Sequence, residues 1–292
     1  MDRLTAVLQK YDYSLTEADI KKRVDQMLDK HLSDNLQKSI YSKLIGHVDL
    51  TSLKSDDNDA SITSLVEKLN LFDDKFEILP HPAAVCVYPA FVGLVRDTLT
   101  EEVEIAAVAA GFPHSQTMTE IKIAEVAMCV AAGATEIDVV IPVGRVKARQ
   151  YEEIFEELTE IREACRGAKL KVILETSLLR EPELIKEAAV VAMVAGADFI
   201  KTSTGKDAQC ATLEAVYVMC SAIAEFNKLN DTKVGLKVAG GVSTANDAVR
   251  YYTLVQQMLG EEWLTPDLFR IGASRLVNSL ISAVVGQEIV YF

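Results

Sequence analysis

Short apolar runs punctuate the chain, and between them lie longer stretches in which apolar residues return every three or four positions. The runs fall at about residues 47–51, 83–88, 103–109, 135–141, 169–175, 197–202, 233–239 and 268–271. The intervening stretches, best marked at 119–132, 151–165, 181–195, 213–227 and 244–259, carry the period of helices that bury one face. A strand covered on both faces reads as an unbroken apolar run, which is the form a parallel sheet takes when helices pack on it. Eight such strands, each followed by a helix, predict an α/β fold of the (β/α)8 TIM-barrel type, with functional groups at the C-terminal strand ends. An open doubly wound sheet with fewer strands is the alternative if a shorter run is not a strand.

Residues 1–45 show helical spacing before the first run, at Leu4, Val7 and Leu8, at Ile20, Val24, Met27 and Leu28, and at Leu36, Ile40 and Leu44. They are read as an N-terminal helical extension capping one end of the barrel, with residues 46–292 forming the barrel and a C-terminal tail. A separate interaction arm is the other reading. No Gly/Ser-rich linker, low-complexity run or short repeat divides the chain, and 292 residues suit one barrel domain.

Composition narrows the partners. With 49% hydrophobic residues the chain can bury a large core, and its net charge of −13 argues against nucleic acid or an anionic membrane as a partner. An anionic substrate must then be held by a local cluster. The five cysteines, Cys86, Cys129, Cys165, Cys210 and Cys220, are odd in number and form no CxxC pair, which suits reduced thiols and a cytoplasmic location. The first residues lack a basic segment followed by an apolar one, and no run reaches the roughly 18 apolar residues of a membrane span, so neither export nor insertion is expected. No GxGxxG, Walker A or HExxH sequence occurs, and His31, His47, His81 and His114 show no ligand spacing. Neither a cofactor nor a metal is expected.

The candidate chemistry lies where charged residues interrupt apolar runs. Lys201 and Lys237 each sit singly near the end of a predicted strand, and Asp138 lies inside the apolar run 136–142. A charge left unpaired there would cost several kcal/mol, so Asp138 needs a partner. A structural ion pair is the simplest account of any one of these residues, but all three fall on strands able to aim them into one barrel mouth. An amine beside a second amine has a lowered pKa and is partly neutral, as Schiff-base chemistry on a carbonyl requires. Lys201 is the better nucleophile candidate because Thr202, Ser203, Thr204 and Gly205 follow it with hydroxyls and a turn. Lys237 is then the perturbing charge and Asp138 the proton shuttle, although spacing alone does not choose between the lysines. Gly240 and Gly241, followed by Ser243 and Thr244 at a helix start, leave bare N–H groups for an anion after the seventh strand. After the eighth, Gly272, Ser274 and Arg275 add a hydroxyl and a cation, and Gly205 with Lys206 adds another; barrels commonly bind phosphate at this place. Cys86, inside the second run, is a small buried hydrophobe or a residue lining the pocket.

The segments Asp49-Leu50-Thr51, Glu136-Ile137-Asp138-Val139-Val140, Phe199-Ile200-Lys201-Thr202-Ser203-Thr204-Gly205-Lys206, Gly235-Leu236-Lys237-Val238-Ala239-Gly240-Gly241 and Ile271-Gly272-Ala273-Ser274 resemble, in this order, those of the deoxyribose-phosphate aldolases. The resemblance runs from about residue 45 to about residue 285. It implies a metal-free class I aldolase that reversibly cleaves 2-deoxy-D-ribose 5-phosphate to D-glyceraldehyde 3-phosphate and acetaldehyde, in deoxyribose phosphate catabolism. By motif position it implies Lys201 as the Schiff-base lysine, Lys237 as the pKa-lowering amine and Asp138 as the proton relay. Asp49 and Cys86 fall at positions that line the site, and Tyr291 matches a tail tyrosine that assists proton transfer. A homodimer is the assembly the resemblance suggests. The chain departs from the usual pattern at Val238, where proline is common, at Ser243, where an arginine follows the glycine pair, and at Arg275, where a second serine is common. Two other readings accompany these departures: an aldolase-like protein-binding module with little or no such activity, and a Schiff-base aldolase for a different aldehyde.

Overall fold

Eight parallel strands close on themselves in the computed structural model, which describes residues 3–206 and 210–292. The strands β1 (Val48–Thr51), β2 (Ala84–Val87), β3 (Glu104–Ala109), β4 (Glu136–Val140), β5 (Lys169–Ile173), β6 (Phe199–Lys201), β7 (Gly235–Ala239) and β8 (Phe269–Ala273) follow one another in chain order, and β8 pairs back onto β1. The expected barrel is therefore present, with each predicted run supplying one strand. Helices Thr119–Ala132, Tyr151–Ala164, Pro182–Val194, Leu213–Asn230 and Ala245–Leu259 lie on the outside where the apolar period placed them. Their starts carry the expected local chemistry. Pro182 sits in a first turn, where its missing N–H costs nothing. The Thr212 hydroxyl accepts from Ala215 N at 3.1 Å, and Thr244 and Asp247 cap each other reciprocally.

The barrel interior has two unlike halves. On β2 and β3 the inward residues Ala84, Cys86, Ala106 and Val108 are small and apolar, and they pack with Leu53. From β4 round to β1 the inward positions carry charge. Asp138 is in register with Lys171, Lys201 with Lys237, and Lys237 with Arg270. Phe199 is in register with both Lys171 and Gly235, and its ring lies 6.0 Å from the Lys171 amine and 6.0 Å from the Arg270 guanidinium. Gly235 makes room for that ring: a Cβ there would stand 2.4 Å from Phe199 Cε1.

The longest N-terminal helix packs on the outer helices of the barrel. Glu17–Asn35 lies along its flank, with Ile20, Val24 and Leu28 buried against Leu213–Asn230 and Ala245–Leu259. Arg23 donates to the Tyr217 hydroxyl at 3.3 Å near the start of one outer helix, and Asn35 donates to Thr253 at 3.0 Å and Gln256 at 2.7 Å near the end of the other. The outer helices present apolar residues away from the sheet, such as Val218 beside Ile20, and flank docking covers them. No helix among the described residues is long and apolar enough to cross a membrane.

Candidate active site

The inward charges meet in a buried ion-pair network. Asp138 Oδ2 accepts from the Lys201 amine and from the Lys237 amine, each at 2.7 Å, while Oδ1 accepts from Lys171 at 3.2 Å. Lys237 also pairs with Asp49, whose other oxygen accepts from Arg270 at 2.7 Å. Arg270 reaches on to Glu136 at 3.0 Å, and Glu136 pairs with Lys171, which closes the ring. Every member is almost wholly buried. In so dry a place each charge depends on the next, because removing one partner leaves an uncompensated ion.

The environment separates the two amines. Burial pushes the Lys201 amine below the ordinary lysine range, and the Lys237 charge pushes the same way against the pull of Asp138. Burial also disfavours charge on Lys237, but Asp138 and Asp49 outweigh it and hold that amine above its ordinary value. Burial alone would raise Asp138, yet Lys171, Lys201 and Lys237 hold its carboxyl well below the usual range. The arrangement sets an amine whose charge is disfavoured beside one whose charge is favoured, with one carboxylate touching both.

Above the network opens a cavity of about 360 Å³. Lys201 lines it together with Thr204, Gly205 and Lys206 after β6, Gly240, Gly241 and Ser243 after β7, and Ser274 and Arg275 after β8. The predicted anion loops thus share one space with the nucleophile candidate. At φ +85°, Gly240 lies in the left-handed region, and a Cβ there would meet Cys210 at 2.7 Å. Thr244 is occupied in capping its helix, which leaves Ser243 as the hydroxyl on the cavity side. The Lys206 amine bonds to the Leu53 carbonyl and sits 5.8 Å from the Tyr88 ring centroid, so it knits the loops after β1, β2 and β6 together.

Two expectations need correction. Cys86 does not line the cavity. It is fully buried in the apolar half of the barrel, where burial raises its thiol pKa and keeps it protonated. Tyr291 is also elsewhere: its hydroxyl donates to the Lys68 carbonyl at 2.8 Å, and its ring packs edge-on against Phe76 and Phe292. Asn278 fixes this tail by accepting from the backbone of Tyr291 and Phe292 at 3.0 Å each and donating to the Phe292 carbonyl at 2.8 Å. The sequence reading gave no site role to Lys171, Glu136 or Arg270. A signal existed, since Glu136 and Asp138 share a strand face at a spacing of two, and Lys171 and Arg270 lie in predicted strands buried on both sides. A charge in such a strand has only another inward charge to meet.

Residues 43–262 match the family model described as DeoC/LacD family aldolase. The deoxyribose-phosphate aldolase of Mus musculus is 42% identical over 253 residues, covering 82% of this chain and 78% of that protein. That of Homo sapiens is 40% identical with the same coverage. Among solved structures, one described as "QR15, an Aldolase" aligns with a TM-score of 0.68 at 29% identity, over 82% of this chain and 95% of that one. The tetrameric deoxyribose phosphate aldolase of Aeropyrum pernix aligns with a TM-score of 0.66 at 24% identity, over 92% and 98%, a likeness of fold.

Proposed function

Because the chain belongs to the DeoC/LacD family of aldolases, we propose that it is a class I deoxyribose-phosphate aldolase, cleaving 2-deoxy-D-ribose 5-phosphate to D-glyceraldehyde 3-phosphate and acetaldehyde with Lys201 as its Schiff-base lysine. One observation carries the residue assignment. Lys201 is the lysine of the buried network that also lines the cavity, and its pKa is the one displaced downward.

The chemistry follows from the contacts. The neutral Lys201 amine adds to the aldehyde carbon of the open-chain sugar, and loss of water leaves a protonated imine. Removal of the proton from the substrate's C3 hydroxyl breaks the C2–C3 bond, with the electron pair taken up by the imine to form an enamine and release glyceraldehyde 3-phosphate. Protonation of the enamine carbon and addition of water then free acetaldehyde and restore the amine. Asp138, held between both amines, is the relay through which these protons enter and leave. Lys237 stays charged, keeping the pKa of Lys201 low, and Asp49 holds Lys237 in place. None of these steps needs a metal ion or cofactor.

The loop amides at Gly205, Gly240 and Gly241, with Thr204, Ser274, Lys206 and Arg275, form the end of the cavity that takes the 5-phosphate. Residues 46–292 constitute the catalytic barrel and residues 1–45 its helical extension. The working assembly is a homodimer in the cytoplasm. The test is acetaldehyde release from 2-deoxyribose 5-phosphate with chelator present, alongside borohydride trapping. Wild type releases acetaldehyde and is covalently trapped, whereas Lys201→Ala does neither. Wild type that folds but is not trapped would overturn the proposal.

A further inference from the structure

The cations around the cavity are not equivalent. The Lys206 amine is already engaged by the Leu53 carbonyl, which the Tyr88 hydroxyl also reaches at 3.1 Å. Lys54, the next residue along, lines the same cavity and is exposed, and its amine has neither an ion pair nor a hydrogen bond among the described residues. The backbone beneath it is nonetheless tightly held. Asp57 accepts from the Lys54 N–H at 2.8 Å and from the Ser52 hydroxyl at 2.9 Å on each oxygen, and Asp57 N donates to the Lys54 carbonyl at 3.3 Å. The Asp57 carboxylate is thereby turned to the backbone and to Ser52, not to the Lys54 amine. The loop after β1 is thus pinned on both sides of a lysine whose side chain is uncommitted.

Arg275 stands in the neighbouring loop, because β8 pairs with β1, and it too lines the cavity without an ion-pair partner among the described residues. A phosphate monoester carries nearly two negative charges at neutral pH, and the glycine loop after β7 offers only amide dipoles. In a chain of net charge −13 that dianion has to be met by cations close at hand. We infer that Lys54 is a specificity-determining residue which, with Arg275, adds to the grip on the substrate's phosphate at the end of the cavity that Lys206 also lines. The inference rests on the reading of the cavity as a phosphorylated-sugar site, and names the residue through which this chain prefers the phosphorylated substrate.

The test compares Lys54→Ala, Lys54→Arg and Lys75→Ala, the last removing an exposed lysine outside the cavity as a control for net charge. One solvent-facing cation on a phosphate is worth about two- to fivefold in binding. Lys54→Ala is expected to lower kcat/KM for 2-deoxyribose 5-phosphate relative to 2-deoxyribose by that factor, through KM, and to flatten its salt dependence. Lys54→Arg restores the ratio, and Lys75→Ala leaves it unchanged. Inorganic phosphate provides a readout independent of turnover: titrated against thermal unfolding, it should protect wild type more than Lys54→Ala. If Lys54→Ala matches Lys75→Ala in both measurements while wild type still cleaves the phosphorylated sugar, the inference falls and the function stands. If phosphate protection depends on Lys54 but the sugar is not cleaved, the anion site stands and the function falls.

Discussion

A lysine is an unpromising nucleophile in water, and the surroundings of Lys201 lower its pKa. Its burial and the Lys237 ammonium act in the same direction, so replacing Lys237 with Met should raise the Lys201 pKa by removing one of the two causes and leaving Asp138 to favour its charge. The acid limb of the pH profile of kcat/KM should then move to higher pH, with activity lost at pH 7 and partly recovered in alkaline buffer; an unmoved limb would deny Lys237 this role. At this scale the sequence was legible for residues that stand alone in apolar runs, such as Lys201 and Lys237. It was less legible for Arg270, whose meaning depends on Asp49 and Glu136, more than a hundred residues distant in the chain. Such pairings are made by barrel closure, and local pattern does not contain them.

The elements were legible because their covering is complete. The strands read as short, mainly apolar runs since helices bury their outer faces, and helix starts at Pro182, Thr212 and Thr244 carry capping chemistry visible in the chain. Where the N-terminal helices dock was not legible: periodicity reveals that Ile20, Val24 and Leu28 share a face, but not which groove receives it. Nor did a tyrosine near the tail reveal its direction, which Asn278 and the Phe72–Phe76 segment decide. Within β7, Gly235 leaves no room for a side chain unless Phe199 moves. Gly235→Ala would press a methyl into the Phe199 ring beneath the charge network, and overpacking of this kind costs about 1–3 kcal/mol. Urea unfolding should show the loss as a lower midpoint, and an unshifted midpoint would mean that the ring has room to retreat.

Taken whole, the barrel is built for neutral pH. His47 sits beneath β1 and β8 with Nδ1 against the Phe269 carbonyl at 2.8 Å, and Nε2 has no partner among the described residues. Burial lowers its pKa from 6.5 to about 4, helped by Lys43 and Arg270 and opposed by the Phe269 bond. Between those values the unfolded chain binds the proton and the folded chain does not, so stability falls as pH drops through the window, by up to about 3 kcal/mol. His47→Gln should flatten that slope between pH 6.5 and 4.5, and an identical slope would remove His47 as its source. The buried network has a consequence of a different order, visible by counting. Asp49, Glu136 and Asp138 bring three negative charges to the centre, and Lys171, Lys201, Lys237 and Arg270 bring four positive ones. Parity is reached when one amine gives up its proton, and Lys201 is the one disposed to do so. On the proposed mechanism, an iminium on that nitrogen restores the odd charge, and the neutral enamine discharges it. On that mechanism the interior favours the electron movement that breaks the carbon–carbon bond, through an imbalance built in before any substrate arrives.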